Sequence, residues 1–459
     1  MNVLVENVTL LPGALGSSLA QGAEQSAETW DIGISDGLIS FVRAHTTPFQ
    51  ALGHGCDSAC IQSSSCEDLE TCRIWDKVIP GGKRLALPGL VNAHTHLGMT
   101  ILRGYGDDLP LMVWLQEKMW PMEANLTEDD VYWASLLAIA EMFKGGVTAC
   151  GDMYFHMDAT AKAVTVSGMR ASLSRGLQDI GGSGEQGLRE AVELCQRWHH
   201  SADGRITTML GPHAPFTCSP EFLRQIVDKA QDLNVPLHVH VAETEAEVEE
   251  VACKFGTTPL GMLARHGVLD VPVLAAHCVH LSHDDLELAT EKGVRIVHCP
   301  GSNMKLGSGI APLPDMLARG LAVGLGTDSA ASNNTLDLWE EMRFSSLLHK
   351  AIRQDATVIP AEVAFDMATI GGANALYLDK VGKLMPGWAA DLILVDTKGL
   401  HWQPLGNLQT SIVYSGGRHD VSLTMVAGEV VYEKGQLLTI DEEQIRLHVA
   451  KRAQRLGLL

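Results

Sequence analysis

A chain of 459 residues, 46% of them hydrophobic and 19% charged, is long enough for a large core and more than one domain. Its formal net charge of -21 excludes nucleic acid or an anionic membrane as the main partner, and its ordinary glycine and proline usage excludes a disordered chain. No signal peptide is expected, because Glu6 and Thr9 interrupt the first apolar run, and no apolar stretch reaches the roughly 18 residues of a membrane span. The expectation is a cytoplasmic protein.

Residues 1–84 read as β-rich, with Trp30–Phe41 alternating around an Asp36-Gly37 hairpin turn. Cys56, Cys60, Cys66 and Cys72 fall in a Ser- and Gly-rich stretch whose spacing does not match a structural zinc site. The piece 44–78 is therefore expected to be an irregular insertion. Leu85–His96 follows, an apolar run closing on two histidines one residue apart. In a strand His94 and His96 point to one side, which makes half of a metal site.

From there strands and helices alternate. Apolar runs at 147–154, 170–176, 206–213, 236–243, 273–277, 294–300 and 322–328 are expected strands, separated by helical stretches such as 127–144, 220–232, 245–265 and 283–292. With the first run they make the eight strands of a (β/α)8 TIM barrel, spanning 85–385. Most of these runs finish in a chemically able residue: His94 and His96, Arg175, His213, His240 and Glu243, His277, Asp328. In such barrels the C-terminal strand ends share one face, so residues far apart in sequence converge on one mouth. After about 385, Gly387–Asp396 and Ser422–Tyr432 read as strands again. They are expected to pair with 1–84 in a composite β-sandwich domain, 1–84 with 386–440. A closing helix is expected in 441–459.

His94, His96, His240 and Asp328 supply three imidazoles and a carboxylate, a donor set suited to a borderline divalent metal with a position open for water. The expected cofactor is one Zn2+ per subunit, with Fe2+ as the alternative. Asp328 can also take a proton from water. Glu243, three residues past His240, is placed to shuttle a proton, and His277 to orient the attacking water. His238, His280, His283 and His298 receive no role.

The segments Pro88–His96, His238–Glu243, Ala276–Leu281, Gly326–Asp328 and Gly387–Asp391 together resemble the amidohydrolase superfamily. The fourth expected strand ends in His213 and offers no lysine, which matches the mononuclear branch better than the binuclear one. More narrowly, Met99–Gly104, Asp108-Leu109, Trp114-Leu115, Pro121–Glu123, Asp152–His156 and Gly211–His213 resemble the 5′-methylthioadenosine/S-adenosylhomocysteine deaminases. That resemblance implies hydrolytic deamination of a 5′-substituted adenosine (5′-methylthioadenosine, S-adenosylhomocysteine, 5′-deoxyadenosine or adenosine) to the inosine derivative and ammonia. It implies that Glu123 binds the ribose hydroxyls, Trp114 packs on the substrate, and Arg175 and His213 contact the nucleoside. It also implies a homo-oligomer, dimer or tetramer. The loop Asp179–Gly187 carries no basic residue to meet a homocysteine carboxylate, which favours smaller 5′ groups. The competing readings are a guanine deaminase and a triazine chloro- or aminohydrolase, for which Glu123 would have no ribose diol to bind.

Overall fold

The computed structural model describes residues 1–11, 29–45, 75–180 and 182–459. Cys56, Cys60, Cys66, Cys72 and most of the expected insertion lie outside the described residues. Eight parallel strands follow one another in sequence order: β1 (Leu90–Thr95), β2 (Val147–Tyr154), β3 (Arg170–Leu177), β4 (Ile206–Pro212), β5 (Leu237–Val241), β6 (Val273–His277), β7 (Arg295–His298) and β8 (Val323–Leu325). Every residue of β2 is buried, as a strand covered on both faces requires.

The barrel closes between β8 and β1 largely through side chains. Asp328 N–H donates to the His94 carbonyl at 3.0 Å. Thr327 N–H donates to Asn92 Oδ1 at 3.0 Å, and Asn92 Nδ2 returns a bond to Thr327 Oγ1 at 2.8 Å. Gly326 makes this approach feasible, since a Cβ there would stand 2.9 Å from the His94 backbone. Asn92→Ala would leave the buried Thr327 amide unpaired; a loss of about 1–3 kcal/mol is expected. Urea denaturation measures it, and an unchanged midpoint would mean that the seam does not depend on this pair.

Helices cover the barrel, and their ends are set by local chemistry. Glu128–Lys144 starts at a capping box made by Thr127 and Asp130. Pro220–Leu233 is capped by Ser219 and stopped by left-handed Asn234. The expected 245–265 helix is two, Glu245–Phe255 and Pro259–Arg265, because Gly256 turns left-handed at φ 63° and Thr258-Pro259 starts a new helix. A final helix runs Glu442–Arg455. Among the described residues no helix is long and apolar enough to cross a membrane.

A second, nine-stranded sheet joins the two ends of the chain. Asn2–Leu10, Trp30–Ser35 and Leu38–Ala44 form antiparallel neighbours, with Asp36 and Gly37 both at positive φ in the turn. Val421–Val426 and Glu429–Glu433 are two strands around the Ala427-Gly428 turn, where one continuous run was expected. The run 85–96 is also divided. Leu85–Pro88 pairs antiparallel with Leu392–Val395 in the small sheet, and only Leu90 onward belongs to the barrel. At the junction Gly89 N–H donates to the Asp391 carbonyl and Leu90 N–H to that of Gly146, both at 3.0 Å. Asp391 is also the hub of a buried clamp. Its carboxylate takes Arg170 Nε at 2.7 Å and Nη2 at 3.1 Å, from the start of β3, together with Ala427 N–H at 2.7 Å.

Candidate active site

The C-terminal ends of the barrel strands gather four imidazoles and two carboxylates. Donor atoms of His94, His96 and His240 lie within 4.8 Å of one another, and so do those of His94, His277 and Asp328. His96 Nε2 stands 3.1 Å and His94 Nε2 3.5 Å from Asp328 Oδ1.

Hydrogen bonds behind the rings determine which nitrogens face inward. Ser174 Oγ gives its single proton to the Asp152 carbonyl at 3.0 Å, so at 3.1 Å it must accept from His238 Nδ1–H. His238 Nε2 is then an acceptor, and His94 Nδ1–H donates to it at 2.8 Å. His94 Nε2 is left as a bare lone pair, buried and without a hydrogen-bond partner. His96 Nδ1–H donates to the Met153 carbonyl and His240 Nδ1–H to that of His213 at 2.7 Å, which turns both Nε2 lone pairs into the same space. His277 Nδ1–H donates to Asn303 Oδ1 at 2.9 Å. Asp328 Oδ2 accepts from Ser302 Oγ at 2.6 Å and Ser332 Oγ at 2.8 Å, leaving Oδ1 toward the histidines.

The electrostatics call for positive charge at that point. Burial pushes His94 down to about 3, so that ring is neutral. For His96, burial opposes the charged form, but the hydrogen bond and charge of Asp328 outweigh it and raise the ring to about 9, so a proton on its Nε2 and a cation compete for the same lone pair. Burial works against ionised Asp328 too, yet the facing His94 and His96 rings hold it well below the usual carboxylate range. An orphaned imidazole lone pair, two more beside it and a firmly ionised carboxylate fit a divalent cation of the zinc type.

Glu243 follows β5, with Oε2 3.8 Å from His277 Nε2 and Oε1 accepting from Ser308 Oγ at 3.3 Å. Burial raises its pKa. The Glu247 carboxylate pins this turn by accepting the Ala242 and Glu243 amides at 3.0 and 2.8 Å. Ala242, His277 and Asp328 all have left-handed backbones, at φ 49°, 70° and 59°. Each such residue costs about 1–3 kcal/mol, strain that concentrates at functional sites.

These groups open into a cavity of about 1020 Å3 whose walls include Trp114, Glu123, Arg175 and His213. Glu123 Oε1 accepts from Tyr154 Oη at 2.9 Å, and burial raises the acid's pKa. Arg175 Nε is engaged by Glu190 at 2.9 Å, and its guanidinium also reaches the Gly176 carbonyl. His213 Nδ1 lies 3.1 Å from Thr217 Oγ1, and burial pushes this ring down to about 4. Every residue that sequence reasoning singled out is thus in this mouth or just behind it. His94, fully buried, backs the cavity without lining it. Missed were the groups that hold the others: His238, Ser174, Glu247, Ser302, Asn303 and Ser332. The run Cys299–Asn303 after an expected strand end was the one visible sign of two of them.

A model of the amidohydrolase family matches residues 85–431. The chain is 50% identical over 378 residues to the 5-methylthioadenosine/S-adenosylhomocysteine deaminase of Dictyoglomus thermophilum, covering 82% of this chain and 89% of that protein. It is 51% identical to the deaminase of the same name from Pelotomaculum thermopropionicum, over 82% of this chain and 87% of that one. Among solved structures, an adenosine deaminase from Xanthomonas campestris with bound zinc superposes at a TM-score of 0.87 with 31% identity, covering 100% and 99% of the two chains. An atrazine chlorohydrolase from Arthrobacter aurescens, also complexed with zinc, shares the fold at a TM-score of 0.84, 23% identity and 98% and 99% coverage. With the family's match running from the last strand before the barrel through the return to the small sheet, this chain belongs to the amidohydrolase family.

Proposed function

We propose that this protein is a zinc-dependent hydrolytic deaminase of 5′-substituted adenosines, producing the inosine derivative and ammonia. The observation that carries this reading is that Glu123 lines the same cavity as Glu243, His277 and Asp328. A carboxylate in the same cavity as the hydrolytic groups, and not one of them, suits a substrate that carries a diol besides its purine. The relatives named for this reaction support it over most of the chain.

His94, His96, His240 and Asp328 would hold the metal, whose Lewis acidity brings the pKa of water down toward about 7. His277, fixed by Asn303, orients the attacking water through Nε2. Water adds to C6 of the purine, and Asp328 accepts its proton. Glu243, whose pKa burial raises, protonates N1. Its carboxylate then takes the proton of the new C6 hydroxyl and passes it to the departing amine, ammonia leaves as the C6 carbonyl forms, and the proton held by Asp328 returns through solvent to Glu243. Glu123 accepts from the ribose hydroxyls, Trp114 packs on the substrate, and Arg175 and His213 contact the nucleoside.

The small 5′ substituents are the preferred substrates. Arg189 pairs with Glu185 on the exposed side of its helix and does not line the cavity, whereas Glu190, Glu193 and Asp158 do. Arg175, the guanidinium among the lining residues, is already engaged by Glu190, so a free carboxylate on the 5′ tail would find no unpaired arginine among them.

Zinc-loaded protein incubated with 5′-methylthioadenosine, 5′-deoxyadenosine, adenosine, S-adenosylhomocysteine and guanine tests this reading. Ammonia release is expected from the adenosines, fastest for the small 5′ groups, with guanine inert. Turnover of guanine or a triazine alone would replace the substrate assignment. Glu123→Ala is expected to reduce kcat/KM for nucleosides by roughly 10–100-fold, the worth of a hydrogen bond to a charged group. An unchanged value would remove Glu123 from the ribose site.

A further inference from the structure

We propose that His401, His419 and Asp420 form a second site for a borderline divalent cation such as zinc, on the small sheet and apart from the barrel mouth. His401 follows the strand Leu392–Val395, and His419-Asp420 precede its antiparallel neighbour Val421–Val426. None of the three lines the central cavity.

Both imidazoles turn Nε2 toward the Asp420 carboxylate. His401 Nε2 lies 3.0 Å and His419 Nε2 3.5 Å from Asp420 Oδ1, and one donor atom of each residue falls within 4.8 Å of the others. Ligand bonds of about 2.0–2.2 Å in a tetrahedron place neighbouring donors about 3.3–3.5 Å apart, and the two observed separations bracket that spacing closely. The carboxylate is fixed before any ion arrives. Asp420 is 6% exposed, and its Oδ2 accepts Gly417 N–H at 3.0 Å while His401 Nε2 stands 3.0 Å from both carboxylate oxygens.

Two glycines allow the ring positions. A Cβ on Gly399 would stand 2.4 Å from His401 Cε1, and one on Gly417 would stand 2.8 Å from His419 Cε1. Each ring therefore folds back over a glycine two residues earlier, in the repeated pattern Gly-x-His. The neighbouring cation, Arg418, is turned away toward Glu141 and Asp337, at 3.4 and 3.6 Å. The rings are 38% and 68% exposed, so an ion can enter from solvent and keep water on its remaining positions. Two imidazoles and a carboxylate select a borderline metal over calcium or magnesium, which prefer all-oxygen sites. The chain's net charge of -21 favours any cation's approach.

The full-length protein, stripped with chelator, reloaded with excess zinc chloride and desalted, is assayed for zinc per chain by mass spectrometry. Wild type is expected to retain one zinc more per chain than either His401→Ala or His419→Ala. Neither residue belongs to the proposed catalytic machinery, so both variants should keep wild-type deaminase activity, and circular dichroism confirms that they fold. The comparison subtracts the barrel site, so it stands whether or not the substrate assignment does. Equal zinc content in wild type and both variants, or a loss in only one variant, overturns the three-ligand site.

Discussion

Glu243→Gln is expected to lower kcat by roughly 10²–10⁴-fold, the usual worth of a positioned proton donor, while zinc content and nucleoside binding stay near wild type. The amide keeps the side chain's shape and its contact with Ser308 Oγ, which stands 3.3 Å from Oε1. It cannot give a proton to N1 or pass one to the leaving amine. Because Glu243 is not among the proposed metal ligands, its replacement should leave the His94, His96, His240 and Asp328 cluster intact. Steady-state kinetics beside zinc analysis separates the two effects. Near-normal turnover would take Glu243 out of the chemistry, and loss of zinc would make it part of the metal's support.

Asp391→Ala is expected to give the largest loss of stability, about 3–5 kcal/mol, because removing one partner of a buried pair strands the other charge. Arg170 is 11% exposed and Asp391 1%, and burial works against the arginine's charge while Asp391 restores it. The substitution also leaves the Ala427 amide without its acceptor. Arg170→Met combined with Asp391→Ala removes the stranded charge and should recover part of the loss. Denaturant titrations of the two variants measure it. A single variant within about 0.5 kcal/mol of wild type would mean that solvent reaches the arginine.

The strand ends of the barrel were legible because polar residues closing apolar runs are costly unless they have work or partners. His94, His240, Glu243, His277 and Asp328 all announced themselves in that way. Their supports did not. Ser174 and Asn303 are unremarkable polar residues until β3 lies near β5 and the segment after β7 near the end of β6, contacts between positions 64 and 26 residues apart. His238 was passed over because alternation puts it on the same side of the strand as His240, and nothing in the order of residues says which of the two stands behind His94. Pattern also cannot divide one apolar run between two sheets. Leu85–Pro88 and Leu90–Thr95 are both buried throughout, and the division at Gly89 is made by the carbonyls of Asp391 and Gly146, which arrive from elsewhere. The break at Gly256, by contrast, was written locally, in a glycine followed by Thr257-Thr258-Pro259.

The closure of the barrel between β1 and β8 would couple folding to binding of the proposed ion. His94 and His96 stand on one lip of that seam and Asp328 on the other, where the strands meet through Asn92, Thr327 and the His94 carbonyl. A cation shared by the proposed ligands therefore binds only the closed ring, and thermodynamic linkage makes it a keystone. Above saturation, each further tenfold of free ion deepens the closed state by about 1.4 kcal/mol. The first and last strands of the barrel, Leu90–Thr95 and Val323–Leu325, would then be held by the same atom that the proposed chemistry needs.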